Sequence, residues 1–133
     1  MQQFKLSQRS LARLNGVDDK LIELIQNSIA KSPIDFGIPG YGGMRTPEEQ
    51  RELFNTGKSK CDGYCIKSNH QFGRAFDVYV YHLGEASWDK IHLAIVAGVI
   101  LSEAKRMGLN IRWGGTFNSD NFKGWDYPHF ELI

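Results

Sequence analysis

The alternation of apolar and polar residues along the chain predicts two helices and a strand in its first third. Between Asp18 and Ser32 the apolar residues recur at about the helical period of 3.6, with Asp18 suited to the N-cap and Ser32 to the end. A shorter helix capped by Ser7 precedes it. Residues 34–38 are a short apolar run typical of a strand.

A third helix is predicted at Thr46, where several start signals coincide. The side chains of Thr46 and Glu49 have the spacing of a capping box, and Pro47 suits the first helical position. Gly57 is a typical end for this helix. A polar loop follows at residues 58–69, so the apolar pattern is interrupted there.

The second half of the chain combines strands with the longest predicted helix. Aromatic and β-branched residues at positions 74–81 indicate a strand. The helix, of about 20 residues, is predicted from an N-cap at Ser87 to Gly108. Its apolar positions are Trp88, Ile91, Ile95, Val99 and Met107. Short strands are predicted at 111–113 and 127–132, separated by a loop rich in Gly, Asn and Asp.

This order of elements predicts an α+β fold with a small, mostly antiparallel sheet flanked by helices. The chain has 133 residues, and a chain of this length can bury about two-thirds of its unfolded surface in one core. A single domain over residues 1–133 is therefore expected. The formal net charge of +1 gives no reason to expect nucleic acid as a partner.

The sequence contains neither a predicted secretory signal nor a predicted membrane-spanning segment. The first 17 residues lack the continuous apolar run of a secretory signal. Residues 91–101, the most apolar stretch, are too short to span a bilayer, so no stable membrane association is expected. Synthesis in a reducing cytoplasm would leave Cys61 and Cys65 as free thiols, although a small metal site with a nearby histidine is an alternative.

Two histidines and an aspartate carry the candidate chemistry. In the predicted strand, Asp77 points away from the face that its apolar neighbours share, and such a carboxylate is costly unless paired or bound to a metal. His70 precedes it by seven residues, and Gly73 between them permits the chain to turn back. His129 lies on another predicted strand. His70, Asp77 and His129 are thus candidate ligands of one catalytic Zn²⁺, with a fourth position open for water.

Two further residues are candidates for the catalytic base and the substrate-binding cation of such a site. Asp126, three residues before His129, could accept a proton from the metal-bound water and pass it to the leaving amine. Arg45, just before a capped helix, could bind a substrate carboxylate or an oxyanion. A lone histidine is more often a structural or surface residue than a ligand, and that is the interpretation for His82 and His92.

The chain resembles the zinc peptidases that include D-alanyl-D-alanine carboxypeptidases and the L-alanyl-D-glutamate endopeptidases of bacteriophages. The resemblance extends over essentially the whole chain. Three segments carry it: Ser68, His70, Gly73, Ala75 and Asp77; then Asp126 with His129 and the following Phe-Glu-Leu; then Gly43, Arg45, Thr46, Glu49 and Gln50. Two departures are Thr116-Phe117, where the family often has Asp-Trp, and an aspartate at Asp126, where many relatives have glutamate.

The resemblance implies a phage endolysin that cleaves the L-Ala–D-Glu bond of peptidoglycan stem peptides. It implies the zinc-peptidase fold, ligands at His70, Asp77 and His129, and Asp126 as the catalytic acid and base. Arg45 would assist substrate or oxyanion binding, and Ser68 would contact substrate. The chain length and the missing secretory signal lead us to expect a monomer without a separate wall-binding domain, resident in the host cytoplasm until lysis. For an endolysin, the resemblance further implies a holin-type partner that gives it access to the wall.

Two other functions remain open from the sequence. A D,D- or L,D-carboxypeptidase would trim the end of the same stem peptide, but it needs a carboxylate clamp for which Arg45 is the one candidate. A non-catalytic, zinc-stabilised wall-binding module would have no use for a base beside the metal. The presence of Asp126 and Arg45 therefore favours an enzyme over a binding module.

Overall fold

The described residues of the computed structural model, 3–119, 122–123 and 126–133, contain four α-helices and eight short strands. The helices are α1 (Gln8–Arg13), α2 (Asp19–Lys31), α3 (Pro47–Asn55) and α4 (Lys90–Met107). The strands are β1 (Asp35–Gly37), β2 (Ala75–Asp77), β3 (Tyr79–His82), β4 (Glu85–Ser87), β5 (Ile111–Trp113), β6 (Asn118–Ser119), β7 (Phe122–Lys123) and β8 (His129–Leu132). Short 3₁₀ turns form at Asn69–Phe72 and Gly114–Thr116. Positions 120, 121, 124 and 125 of the predicted Gly/Asn/Asp loop lie outside the described residues.

Local capping determines where three of the helices begin, as the sequence predicts. The hydroxyl of Ser7 accepts a hydrogen bond in the first turn of α1, and the carboxylate of Asp18 does the same for α2. Thr46 and Glu49 form the reciprocal capping box of α3. These bonds satisfy backbone N–H groups that have no partner within a helix, so the start sites follow from near neighbours in sequence.

The start and the buried face of α4 differ from the prediction. Ser87 ends β4, and Asp89 caps the helix by accepting a hydrogen bond from the N–H of Ile91 at 2.8 Å. Three of the predicted apolar positions are exposed: Trp88 by 53%, Ile91 by 72% and Ile95 by 41%. The buried positions are Leu93, Val96, Ala97, Ile100, Glu103 and Ala104. The helix is apolar on more than one side, and packing against α2 selects which side is buried.

Two three-stranded antiparallel sheets replace the single sheet of the prediction, while the α+β class is confirmed. One sheet has the order β1-β3-β4 and the other the order β2-β8-β5. A hairpin of β6 and β7 makes a third, two-stranded unit. None of the helices in the described part of the chain is long and apolar enough to cross a membrane.

The predicted strand at 74–81 is broken at Val78, and its two halves belong to different sheets. The N–H of Val78 donates to the carbonyl of Pro128 at 2.9 Å, outside either strand ladder. Phe76, Val78 and Val80 are fully buried, as their shared face predicts. Asp77 is consequently the last residue of β2, at the edge where the chain changes sheets.

The pairing of β2 with β8 supports the centre of the molecule. Phe76 lies opposite Phe130, and their rings stack with centroids 5.1 Å apart. The next pair in the same register is Asp77 with His129. The apolar core thus fixes a polar pair at the end of the ladder, where two predicted ligands face each other.

Candidate metal centre and active site

The side chains of His70, Asp77 and His129 converge on one point. Nε2 of His70 lies 3.1 Å from Nδ1 of His129 and 3.2 Å from Oδ1 of Asp77. Nδ1 of His129 lies 3.1 Å from the same Oδ1. Among the described residues this is the group of three or more side chains placed to hold a metal ion.

The spacing and chemistry of these three atoms fit a small divalent cation. Ligands at about 2.0–2.1 Å around a tetrahedral zinc lie about 3.3–3.4 Å from each other, close to the sides of the observed triangle. Two imidazole nitrogens and a carboxylate oxygen are also the donor types that zinc accepts. His70 and His129 are buried, so their rings have few alternative orientations.

A short 3₁₀ turn positions His70. Ser68 caps the turn, and its hydroxyl accepts a hydrogen bond from the N–H of His70 at 3.2 Å. The Nδ1–H group of His70 donates to the carbonyl of Gly43 at 2.8 Å, which leaves Nε2 to face Asp77 and His129. Gly73 ends the turn at φ +67, where a Cβ would lie 2.5 Å from the carbonyl oxygen of Gly16. The glycine is therefore required by the close approach of another segment as well as by its conformation.

Glu131 orients the second histidine. Its Oε1 lies 2.7 Å from Nε2 of His129, so Nε2–H donates to the carboxylate and Nδ1 faces the other two ligands. Arg112 donates to the second carboxylate oxygen, Oε2, at 2.6 Å. A carboxylate behind a ligating histidine is a common outer partner of metal sites, because it fixes the tautomer and raises the basicity of the ring.

Arg45 contacts the third candidate ligand, Asp77, and makes three hydrogen bonds within the described part of the chain. Its NH2 group donates to Oδ2 of Asp77 at 3.0 Å, its Nε to the carbonyl of Tyr41 at 2.6 Å, and its NH1 to Oε1 of Gln50 at 3.0 Å. The amide of Gln50 donates in turn to Ser59 and to the carbonyl of Cys61, both at 2.9 Å. A partly buried chain of hydrogen bonds thus joins the start of the polar loop to Asp77.

The charges around Asp77 favour the ionised form of its carboxylate. Burial acts to raise the pKa of Asp77, but His70 and His129 outweigh it and hold that pKa well below its usual range. Burial lowers the pKa of His129, while its bonds to Asp77 and Glu131 raise it to about 9. A metal that binds Nδ1 of His129 must displace a proton below that pH, so binding is expected to weaken in acid.

Asp126 lies beside the ligands at the start of a turn. The N–H of His129 donates to the carbonyl of Asp126 at 3.1 Å, which closes a turn through Tyr127 and Pro128. The predicted strand at 127–132 consequently begins two residues later. Burial raises the pKa of Asp126, and the neighbouring charge of Asp77 adds to that effect. A carboxylate with a raised pKa in this position is suited to both accept and release a proton.

An open cleft of about 890 Å³ gives access to the group. Its lining includes the three candidate ligands and all of the other predicted site residues, Asp126, Arg45 and Ser68. Cys61 also lines it, but Cys61 and Cys65 are separate thiols, and no metal-ligand group in the described part of the chain includes them. His82 and His92 lie outside the cleft lining.

Sequence reasoning did not identify Glu131 and Gln50 as site residues. The available signal for Glu131 was its position two residues after His129 on a strand, which places both side chains on one face. Gln50 lies in a segment that carries the family resemblance, but its contacts with Arg45 and with the polar loop follow only from the folded chain.

A His/Asp/His group that could hold a metal ion and that lines a cleft in an α+β fold is typical of a metal-dependent hydrolase. The model of the phage L-alanyl-D-glutamate peptidase family matches residues 2–133, and the chain belongs to that family. The predicted enzyme class is thereby confirmed, as is the predicted family.

A solved structure supports the same assignment. The crystal structure of the Serratia marcescens L-Ala D-Glu endopeptidase ChiX matches with a TM-score of 0.82 and 29% sequence identity. The match covers 99% of this chain and 92% of the other. No curated protein sequence matches the chain significantly.

Proposed function

We propose that the protein is a zinc-dependent peptidoglycan hydrolase that cleaves the L-Ala–D-Glu bond of stem peptides, with His70, Asp77 and His129 as the ligands of one Zn²⁺. The observation that carries the proposal is the triangle of ligand atoms with sides of 3.1 and 3.2 Å. Each ring is held by a separate partner, Gly43 for His70 and Glu131 for His129. Such preorganisation is expected of a metal site and has no evident use in a merely packed core.

Zinc would lower the pKa of a bound water towards neutrality and polarise the scissile carbonyl. The side chains of the protein would supply proton transfer and the positioning of the reacting groups. Asp126 accepts the proton of the attacking water and returns it to the amine of the leaving D-Glu. Its raised pKa favours the second half of that transfer, in which the carboxyl group must act as an acid.

Arg45 and Ser68 complete the proposed site. The bonds of Arg45 to Tyr41, Gln50 and Asp77 leave further N–H groups of the guanidinium for a substrate carbonyl or an oxyanion. Ser68 uses its oxygen to accept from the N–H of His70, and its hydroxyl proton remains to be donated to substrate. Both residues therefore have a positioning contact within the protein and a proposed contact with substrate.

Digestion of purified peptidoglycan tests the scissile bond. Mass analysis of the fragments should show new N-terminal D-Glu and stems shortened by L-Ala. Release of D-Ala without new D-Glu ends would identify a carboxypeptidase instead and would overturn this assignment.

Metal content and one substitution test the site. Protein purified without added metal should contain about one zinc per chain, the stoichiometry of a three-ligand site with an open position. Asp126→Ala should keep that zinc while losing hydrolysis, whereas His70→Ala should lose the zinc. His82→Ala, a histidine outside the cleft, is the matched control and should retain both. Unchanged hydrolysis in Asp126→Ala would refute its role as the base.

The biological setting follows from the family, which acts on the cell wall. We propose that the protein works as a monomer and stays in the host cytoplasm until a holin-type partner permeabilises the membrane. Expression in a bacterial host with and without a membrane-permeabilising protein tests this. Lysis by the peptidase alone would contradict the requirement for a partner.

A further inference from the structure

An exposed tryptophan lines the catalytic cleft and has no part in the proposed metal centre. Trp88 precedes α4, and its side chain is 53% exposed. It lines the same cavity as His70, Asp77 and Asp126. Its location in the cleft is what makes this side chain informative, because ligand pockets are lined mainly by hydrophobic and aromatic side chains.

A buried aromatic residue packs against one face of the Trp88 ring. It stacks on Tyr79 with centroids 5.6 Å apart and an interplanar angle of 20°. Tyr79 is buried in β3, its hydroxyl hydrogen-bonds to that of Tyr81, and Tyr81 accepts a hydrogen bond from Arg9 at 3.1 Å. One face of the indole is therefore covered, and the exposed part presents the other face in a fixed orientation.

The size of the cleft exceeds what two amino acids require. At about 890 Å³ it lies near the top of the range of about 300–1,000 Å³ in which pockets enclose drug-sized ligands. In peptidoglycan the amine of L-Ala forms an amide with the lactyl group of N-acetylmuramic acid, and an ether oxygen joins that lactyl group to the sugar ring. An extended residue spans about 3.3–3.6 Å, so the sugar follows the scissile carbonyl within about two residue lengths.

We propose that Trp88 is the binding platform for the muramic acid ring that carries the stem peptide. This inference rests on the proposed function, because it assumes that the L-Ala–D-Glu bond occupies the centre of the cleft. A pyranose ring presents C–H groups on its faces, and these carry partial positive charge that complements the negative π-face of an indole. The protein would thus bind the sugar ring as well as the peptide.

The apolar surface next to Trp88 suggests a competing occupant. Ile91 and Ile95 are exposed on α4, and a protein partner or a second copy of the chain could use them together with Trp88. Neither isoleucine lines the catalytic cleft, however, whereas Trp88 does. A single planar ring, stacked on a buried tyrosine and continuous with the catalytic cleft, matches a single sugar better than an extended apolar surface.

Two substrates that differ only in the sugar provide the test. One is a stem peptide attached to N-acetylmuramic acid, and the other is the same peptide carrying the lactoyl group alone. The ratio of their kcat/KM values measures the contribution of the ring. For the wild-type protein the ratio should favour the sugar by about tenfold, the effect of one aromatic contact worth about 1.4 kcal/mol.

Trp88→Ala should reduce this ratio to about one, and Trp88→Phe should restore part of it because the ring is retained. Ile95→Ala, which removes exposed apolar surface outside the cleft, should leave the ratio unchanged. A wild-type ratio of one, or equal losses on both substrates in Trp88→Ala, would overturn the sugar platform. A change of the ratio in Ile95→Ala would indicate the wider apolar surface instead. If the wild-type protein cleaved neither substrate, the proposed function itself would fail.

Discussion

Removing the carboxylate of Glu131 should weaken zinc binding, because that carboxylate holds His129 in the ligating orientation. The hydrogen bond between Oε1 and Nε2 is 2.7 Å long, and both side chains are at most 10% exposed. Loss of such an outer partner typically costs about 10- to 100-fold in metal affinity, which is about 1.4–2.7 kcal/mol. We expect Glu131→Ala near the upper end and Glu131→Gln near the lower end, since glutamine keeps an acceptor without the charge.

The other partner of Glu131 contributes little to this expectation. Arg112 is 56% exposed, so the charge that loses its partner remains solvated. The proton on His129 matters more. Its pKa of about 9 depends partly on Glu131, so the variant should have a lower pKa and less competition between proton and metal. The affinity difference from wild type should therefore be larger near pH 9 and should shrink as the pH falls.

Competition with a chelator of known zinc affinity measures the effect across this pH range. Activity at saturating zinc should be largely recovered in Glu131→Gln, because the ligands themselves are unchanged. Glu103→Gln, which also removes a buried carboxylate with cationic partners but lies on α4, should leave zinc affinity unaltered. Wild-type affinity in Glu131→Ala at every pH would refute the role assigned to this carboxylate.

Three further expectations concern the frame around the site. Gly114→Ala should reduce activity, because a Cβ there would lie 1.9 Å from the carbonyl oxygen of Asp126. Gly98→Ala is the control: its added Cβ would have no atom within 4 Å, so the variant should keep full activity and its helix should be more stable by up to about 1 kcal/mol. Glu103 has its pKa lowered to about 2 by Arg106 and then Lys31, so its stabilising effect should be complete above about pH 4.5 and lost as the pH falls towards 2. Acid denaturation of Glu103→Gln should lack that component, and an unchanged profile would contradict the assignment. Gln50→Leu should lower the free energy of unfolding by about 1–3 kcal/mol in a denaturant titration, because Arg45 loses its acceptor and Ser59 and the carbonyl of Cys61 lose their donor. Wild-type stability in this variant would show that these bonds are dispensable.

Short-range patterns in the chain were sufficient to predict several features that the structure contains. The caps at Ser7, Asp18 and Thr46 each depend on residues two or three positions away, so they follow from local sequence. The buried face of Phe76, Val78 and Val80 follows from the strand period. The candidate ligands were recognisable as residue types with few other uses in an apolar strand or beside one.

Contacts between distant segments decided the rest. The break at Val78 depends on its bond to Pro128, and the buried side of α4 depends on packing against α2. The partners Glu131 and Gln50 likewise became evident only from the assembled site.

The convergence of the candidate ligands also depends on contacts between distant segments. Asp77 and His129 are 52 residues apart, and they meet because Phe76 pairs with Phe130 in the preceding step of an antiparallel ladder. Residue types and helix starts are properties of neighbouring positions, whereas a triangle of ligand atoms is a property of strand register. Register is set by burial over the whole core, so the amino-acid sequence indicated which chemistry was present and the folded chain determined where it is assembled.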